Sequence, residues 1–397
     1  MVKFYLFKFL FLQSILLILS CGITSCDAQT KKLPSLKNAI TLKNDKISSV
    51  KIIAAGDLII HGKQIENAYE PENDSYQFNA CFDKIKDVIE NADLALVNFE
   101  AVMGGKPYSG FPDFSSPDTL AYAVKYAGFD IAFLANNHAA DKGAKGIRGN
   151  IENLAKQGLI TTGTFLDSSD RQKRNLVLFK KNNIKIAFLN YSYGTNGKTV
   201  PKPYIINKID TTQMLSDFSN AKDSNPDLLI VFIHWGEEYK REPTKYQKKI
   251  ADFCFRNGVD IILGSHPHVL QPVEIRNVNY KGKNKKCMVA YSLGNFISNQ
   301  GRRYRDGAML FEFDVIKDNI NPAHFDSVRF IPTWVYKKID KGRRYYQVLP
   351  ISRYEQSNST LDIDNYNLSR MKTSAKDTRE MMNMQDSGDI ILERKFK

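Results

Sequence analysis

Five short runs of this chain, KIIAAGD, NADLALVNFE, GFDIAFLANNH, NPDLLIVFIHW and GVDIILGSHPH, are nearly unbroken in apolar residues, and each reaches a carboxylate or an imidazole at its end. A strand covered on one face alternates apolar with polar, whereas a strand covered on both does not, so these runs predict strands buried between two layers. Helical patterns lie between them. FDKIKDVIEN at 82–91, PDTLAYAVKYAG at 117–128 and PTKYQKKIADFCFRNG at 243–258 space apolar residues by three and four, with Pro117 and Pro243 suited to first turns and Gly128 and Gly258 to the stops. Strands alternating with helices predict a largely parallel α/β architecture. The segment 175–190 predicts a hairpin turning at Lys181-Asn182-Asn183, and 287–296 and 306–315 add late strands. Two stacked mixed sheets are therefore expected instead of one open parallel sheet.

The ends of the chain read differently. Lys3 and Lys8 precede an apolar stretch, Phe9 to Leu19, that is short for a spanning helix, which needs roughly 20 residues. Residues 1–26 are expected to be an export leader of lipoprotein type, with Cys26 or Cys21 as the lipidated residue and an uncleaved anchor as the alternative. The polar, lysine-rich stretch 27–48 reads as a tether, 49–340 as the folded domain and 341–397 as a C-terminal extension with an amphipathic helix around 366–383. On this reading the domain works in the cell envelope, outside the cytoplasm and anchored to the membrane.

Apolar content of 43% and charged content of 25% are those of a folded protein and exclude disorder as the default. Cys81, Cys254 and Cys287 have no CxxC spacing, which argues against a disulfide framework or a cysteine metal site. The net charge is +13, and its scattered pairs, Lys180-Lys181, Lys248-Lys249, Lys285-Lys286 and Arg302-Arg303, read first as solvated surface and second as attraction to an anionic polymer or to lipid headgroups. Without an aromatic-interleaved basic motif, and with an export leader, nucleic acid is not an expected partner.

In open α/β folds ligands bind beyond the carboxyl ends of strands, where the loops converge. After the five runs stand Asp57, then Asn98 and Glu100, then Asn136, Asn137 and His138, then His234, and finally His266 and His268. Of six histidines only His324 lies away from these segments, with His61 just past Asp57. Taken singly, each has a plain structural reading: a strand-end His satisfied by hydrogen bonds, an Asp or Asn in a turn, a solvated Glu. Taken together, two carboxylates, three imidazoles and an amide oxygen are donors suited to one or two divalent ions, Mn, Fe or Zn. Pro267 stiffens the loop that carries His266 and His268.

At these residues the chain resembles the CapA-like (poly-γ-glutamate capsule synthesis) family of the calcineurin-like metallophosphoesterase superfamily. The matching pieces are Gly56-Asp57, Asn98-Phe99-Glu100, Ala135-Asn136-Asn137-His138 with Asp141 and Gly143, His234-Trp235-Gly236 with Glu238 and Tyr239, Gly264 to His268, and Ser292 to Phe296, in family order over about 50–300. The resemblance implies a four-layer α-β-β-α sandwich with a dinuclear site. It places Asp57 and His268 on one metal and Asn137, His234 and His266 on the other, with Glu100 as the bridge. His138 would act at the leaving group and a bound hydroxide would be the nucleophile. Asn98, Asn136, Trp235, Glu238 and Asn295 would line the pocket, although Trp235 suits a core equally well. The superfamily's Asp-x-His at the first strand is absent, because Leu58 and Ile59 follow Asp57, so weakened or single-metal occupancy is one expected outcome.

Two functions are expected from these features. One is an exported, lipid-anchored hydrolase of capsule or poly-γ-glutamate production, cleaving a phosphoester or an amide. The other is a non-catalytic subunit that grips the polymer or joins a membrane polymer synthase.

Overall fold

The computed structural model describes residues 47–319, 321–340, 342–356, 361–383 and 391–396. The expected leader, most of the tether and both candidate lipidation residues, Cys21 and Cys26, lie outside the described residues. The first described strand starts at Ser48, three residues before the KIIAAGD run.

The principal strands are β1 (Ser48–Leu58), β2 (Leu94–Phe99), β3 (Ile131–Phe133), β4 (Ile160–Thr162), β5 (Val177–Lys181), β6 (Ile184–Ser192), β7 (Leu228–His234), β8 (Ile261–Ser265), β9 (Leu270–Tyr280), β10 (Lys283–Leu293), β11 (Gly307–Lys317), β12 (His324–Asp340), β13 (Arg343–Pro350) and β14 (Leu392–Glu393). Among the described residues they form an eight-stranded sheet in the order β13-β12-β11-β1-β2-β3-β4, with β14 against β12, and a six-stranded sheet in the order β9-β10-β8-β7-β6-β5. Strands β1 to β4 are mutually parallel, and so are β6, β7, β8 and β10; β11, β12 and β13 add to the first sheet and β5 and β9 to the second in antiparallel pairings, while β14 pairs β12 in parallel. Both sheets are thus mixed, as the sequence predicts. The expected hairpin is present, and Asn182 and Asn183 at its turn have φ of 50° and 61°.

The unbroken apolar runs are explained by cover on both faces. Ile52, Ala54, Leu96 and Phe133 face Ile186, Phe188, Ile230 and Phe232 of the other sheet, and the rings of Phe133 and Phe232 stack at 4.7 Å. The alternate residues Ile53, Ala55, Val97 and Ala132 pack under helices Thr119–Tyr126 and Gly143–Lys156, through Leu120, Val124, Ile147 and Leu154. On the second sheet Leu189, Val231 and Ile233 lie under helices Thr211–Asp223 and Lys245–Arg256. The order of layers is helix, sheet, sheet, helix.

Two helix expectations shift in detail. The 82–91 pattern forms an α-helix only over Lys86–Glu90, after a 3₁₀ turn at Asn79–Cys81. At 243–258 the helix begins at Lys245, because Thr244 and Gln247 form a reciprocal cap, and Pro243 precedes that cap instead of occupying the first turn. Beyond residue 340, β13 pairs along β12, and helix Asn365–Asn383 lays Met371 and Ala375 on Trp334, Tyr336 and Leu349.

Candidate metal centre

Strand alternation decides which side chains reach the gap between the sheets. Leu94 and Leu96 are on the inner face of β2, so Asn98 is too; Ile230 and Phe232 are on the inner face of β7, so His234 is too. Asp57 would fall on the outer face with Ile53 and Ala55, but a register shift between Ala55 and Asp57 sets Asp57 opposite Asn98. The shift occurs at Gly56, where a Cβ would stand 2.1 Å from the carbonyl oxygen of Gly294. Glycine is required there by the crossing of two backbones.

Asp57, Asn98 and Glu100 come from the first sheet and His234, His266 and His268 from the second, and they meet in a buried cluster. Asp57 Oδ2 lies 2.9 Å from His268 Nδ1, and Asp57 Oδ1 accepts from Asn98 Nδ2 at 2.9 Å. Glu100 Oε1 lies 3.5 Å from His234 Nε2 and 3.9 Å from His268 Nε2. Asn137 Oδ1 is 2.8 Å from His234 Nε2. Candidate ligand atoms of Asp57, Glu100 and His268 lie within 4.8 Å of one another, and so do those of Glu100, His234 and His266 and those of Glu238, His266 and His268. Of the expected pocket residues, Glu238 is exposed at this rim and Asn98 is buried beside Asp57.

The chemistry of the donors fits a divalent ion. Both carboxylate oxygens of Glu100 are buried without a hydrogen-bond partner, as are Asn98 Oδ1 and His266 Nδ1. A buried, unpartnered carboxylate costs several kcal/mol unless a cation compensates it, of the order expected for an isolated buried charge. Burial, and secondarily the charge of Asp57, pushes the Glu100 carboxyl well above its ordinary range. Burial pulls His234 well below its ordinary value and His266 down to about 3, which leaves both imidazoles neutral and able to donate a lone pair to a metal. His266 and His268 hold φ of 99° and 57°. A non-glycine residue pays about 1–3 kcal/mol for such backbone, and it recurs where a loop is held for function. Here it aims the His266 N–H at the Asp57 carboxylate, 3.3 and 3.4 Å from its two oxygens.

Beside the cluster, His138 Nδ1 lies 2.8 Å from Asp141 Oδ2, leaving Nε2 as the nitrogen free for proton transfer. Asp141, its side chain fully buried, also accepts from Phe114 N at 2.9 Å and from Lys198 Nζ at 2.9 Å. The ring of Phe114 meets His138 edge-on at 4.6 Å. The place where the superfamily pattern wants a further imidazole is apolar: Ile59 packs with Val102 and Phe114. His61 is bound into its own turn, its Nδ1 3.3 Å from Gln64 Oε1 and accepting from Asn299 N at 3.3 Å, and does not join the ligand cluster.

Three expected pocket residues have other work. Trp235 is a correction: one step past His234, alternation turns it to the outer face, where it is fully buried against Tyr291 and donates to the Tyr291 carbonyl oxygen at 2.9 Å. Asn136 spends its amide on the Phe99 and Leu134 carbonyls and accepts from His138 N at 3.0 Å, so it shapes the turn that presents Asn137 and His138. Asn295 ties the His268 carbonyl oxygen to that of Arg305, at 3.2 and 2.8 Å, from behind the ligands. The 292–295 turn also backs the first strand, its Gly294 carbonyl oxygen accepting from Asp57 N at 2.9 Å.

Sequence reasoning missed a strap that joins the two halves. Tyr193, immediately after β6, packs its ring 4.6 Å from that of His266 and donates to Asn196 Oδ1 at 3.0 Å; Asn137 donates to the same oxygen at 3.3 Å, and Lys198 reaches Asp141. The strand-end rule applied to β6, which is parallel to β7, would have found it. Ser265, whose Oγ lies 3.0 Å from His234 Nδ1, is likewise legible from its place before His266.

Residues 51–300 match the sequence model of a family described as bacterial capsule synthesis protein PGA_cap. Two curated relatives are similar over most of the chain. The capsule biosynthesis protein CapA of Bacillus anthracis is 29% identical over 329 residues, covering 77% of this chain and 74% of that one. The PGA biosynthesis protein CapA of Bacillus subtilis (strain 168) is 30% identical over 275 residues, covering 67% and 68%. Among solved structures, the NAD nucleotidase NadN of Haemophilus influenzae aligns with 87% of this chain at 13% identity and a TM-score of 0.47, and the chain spans 58% of its length. The calcineurin-like phosphoesterase YfkN of Bacillus subtilis aligns with 84% of this chain and 98% of its own at 14% identity and a TM-score of 0.41.

Proposed function

The chain belongs to the bacterial capsule synthesis family PGA_cap, and from that premise we propose that it is a metal-dependent hydrolase of capsule or poly-γ-glutamate production, exported and held at the cell envelope by a lipid on Cys26 or Cys21. The observation that carries the hydrolase reading is Glu100: a fully buried carboxylate, both oxygens unpartnered, set between imidazoles of the second sheet and Asp57 of its own.

Asp57 and His268 would hold one divalent ion, Asn137, His234 and His266 the other, and Glu100 both. When bound, such ions supply Lewis acidity and lower the proton affinity of water. The remaining work falls to the chain. Asn98 fixes the Asp57 carboxylate, Ser265 fixes the His234 ring, and Asp141 fixes His138 so that a proton on its Nε2 is available to the leaving group. Phe114 and Ile59 exclude water from that side. The substrate is a phosphoester or an amide of an anionic polymer.

The test is metal analysis of the full chain after Mn, Fe or Zn reconstitution, with assays on a phosphodiester and on γ-glutamyl oligomers for wild type, His138→Ala and Glu100→Ala. Absence of stoichiometric metal in wild type sinks the reading. A second reading, a non-catalytic subunit gripping polymer or a membrane synthase, is favoured by the apolar Ile59 cluster in place of an imidazole. It wins if His138→Ala leaves capsule output intact while deletion of the protein abolishes it. Mass analysis of the mature N-terminus decides between Cys26, Cys21 and no lipid.

A further inference from the structure

A cavity of about 330 Å³ lies beside the metal centre, lined by His61, Phe111, Tyr239, Gln300, Arg302 and Arg305. Two struts join it to the ligand loop. Tyr239 N donates to the Pro267 carbonyl oxygen at 2.7 Å, and its ring is 6.1 Å from that of His268. The Arg305 carbonyl oxygen shares Asn295 Nδ2 with the His268 carbonyl oxygen.

The charged side chains that line the cavity, Arg302 and Arg305, are both cations. The Arg305 guanidinium lies over the Tyr239 ring, 3.2 Å from its centroid, an arrangement that occupies its face and leaves its N–H edge available. Among the described residues neither Arg302 nor Arg305 has a carboxylate partner, and no carboxylate lines the cavity. Neighbouring arginines differ: Arg303 pairs with Asp377 at 2.7 Å and Arg370 with Asp306 at 2.5 Å. Other cavities also mix their charges, one setting Lys145 and Arg148 beside Asp118 and Glu152, another Arg303 and Arg370 beside Asp306 and Asp377. Two unneutralised guanidiniums with an open donor edge, next to a reaction centre, suit a planar oxyanion. Phe111, 74% exposed at the lip, offers an apolar surface to whatever links that anion to the reacting bond.

We propose that this cavity is an oxyanion subsite of the reaction centre, in which Arg305, braced by Tyr239, and Arg302 hold a carboxylate of the substrate unit next to the one being cleaved. The inference rests on the polymer-hydrolase reading of the metal site, and it explains how a repetitive chain would be set in register against the ions. Arg302, which as part of a sequence pair reads as solvated surface, becomes a specificity residue.

The test uses the full chain loaded with metal, as wild type and as the Arg302→Gln, Arg305→Gln double variant. Calorimetry measures binding of a short γ-linked glutamate oligomer and of inorganic phosphate at several salt concentrations, with metal content determined alongside. We expect the oligomer Kd to rise about tenfold or more in the variant, with a flatter salt dependence and unchanged metal content. An unchanged Kd overturns the subsite and leaves the hydrolase reading standing. Should wild type fail to bind the oligomer while its phosphate affinity still falls in the variant, the subsite survives and poly-γ-glutamate is lost as the substrate. If the double variant loses metal, the exposed single change Arg302→Gln gives the same reading, and a Lys pair at both positions should recover part of the affinity.

Discussion

The two sheets contribute unlike chemistry to one site. The first brings Asp57, Asn98, Glu100, Asn137 and the His138–Asp141 pair; the second brings three imidazoles and the strap from Tyr193 to Lys198. Their backbones differ as well. Asn98 and His234 sit at the ends of regular strands, whereas His266 and His268 occupy left-handed backbone. The group of Asp57, Glu100 and His268 and the group of Glu100, His234 and His266 each draw on both sheets, whereas the rim group of Glu238, His266 and His268 comes from the second sheet alone. The cation would be the fastener between the two sheets, and the strained loop is the side whose position depends most on it.

The largest expected effect comes from the residue that both groups share. Glu100→Gln should lose at least one ion by metal analysis and lower hydrolysis by roughly 10²–10³-fold, the scale of removing one transition-state electrostatic contact. The same change sharpens the comparison in the metal-free state. The folded Glu100 carboxyl is raised above its ordinary value of 4.5, so in chelator the wild-type fold binds more protons than the unfolded chain and loses stability as pH rises from that value through the folded one. Urea denaturation of wild type against Glu100→Gln should show a gap that widens upward from about pH 4.5; a constant gap breaks the account. Next, His138→Ala should cost about 10²–10⁴-fold in turnover while both ions stay, since His138 acts beside the ligands. Trp235→Ala should cost about 3–5 kcal/mol of stability in thermal melts with metal affinity kept, the reverse pattern to Glu100→Gln. Smallest, Tyr193→Phe removes the hydroxyl that meets Asn196 and should cost about 0.5–1.5 kcal/mol, seen as a lower unfolding midpoint and slightly weaker metal retention.

Much of this was legible in the sequence because period and position carry it. Unbroken apolar runs indicated strands covered twice, and residues at their carboxyl ends indicated the cluster. What stayed hidden depended on geometry that spacing does not encode. His234-Trp235 reads as one motif, yet consecutive residues of a strand serve opposite faces, and only the fold shows which face has the pocket. Asn136 and Asn137 are neighbours with different duties, one to backbone and one to the site. The strap was hidden because its strand was read as half of a hairpin and not also as a member of the parallel set. The apolar setting of Ile59 arises from Phe114, far along the chain, which no local reading supplies.

The passage of the first strand over Gly294 has one last implication. A methyl group at position 56 would meet the opposing carbonyl oxygen at 2.1 Å, and that carbonyl also accepts the Asp57 N–H. Gly56→Ala, among the smallest exchanges available to any protein, would therefore unseat the acidic ligand next to it in the chain. Tolerance to mutation here is governed by the clearance between two main chains, and the chemistry next door inherits that limit.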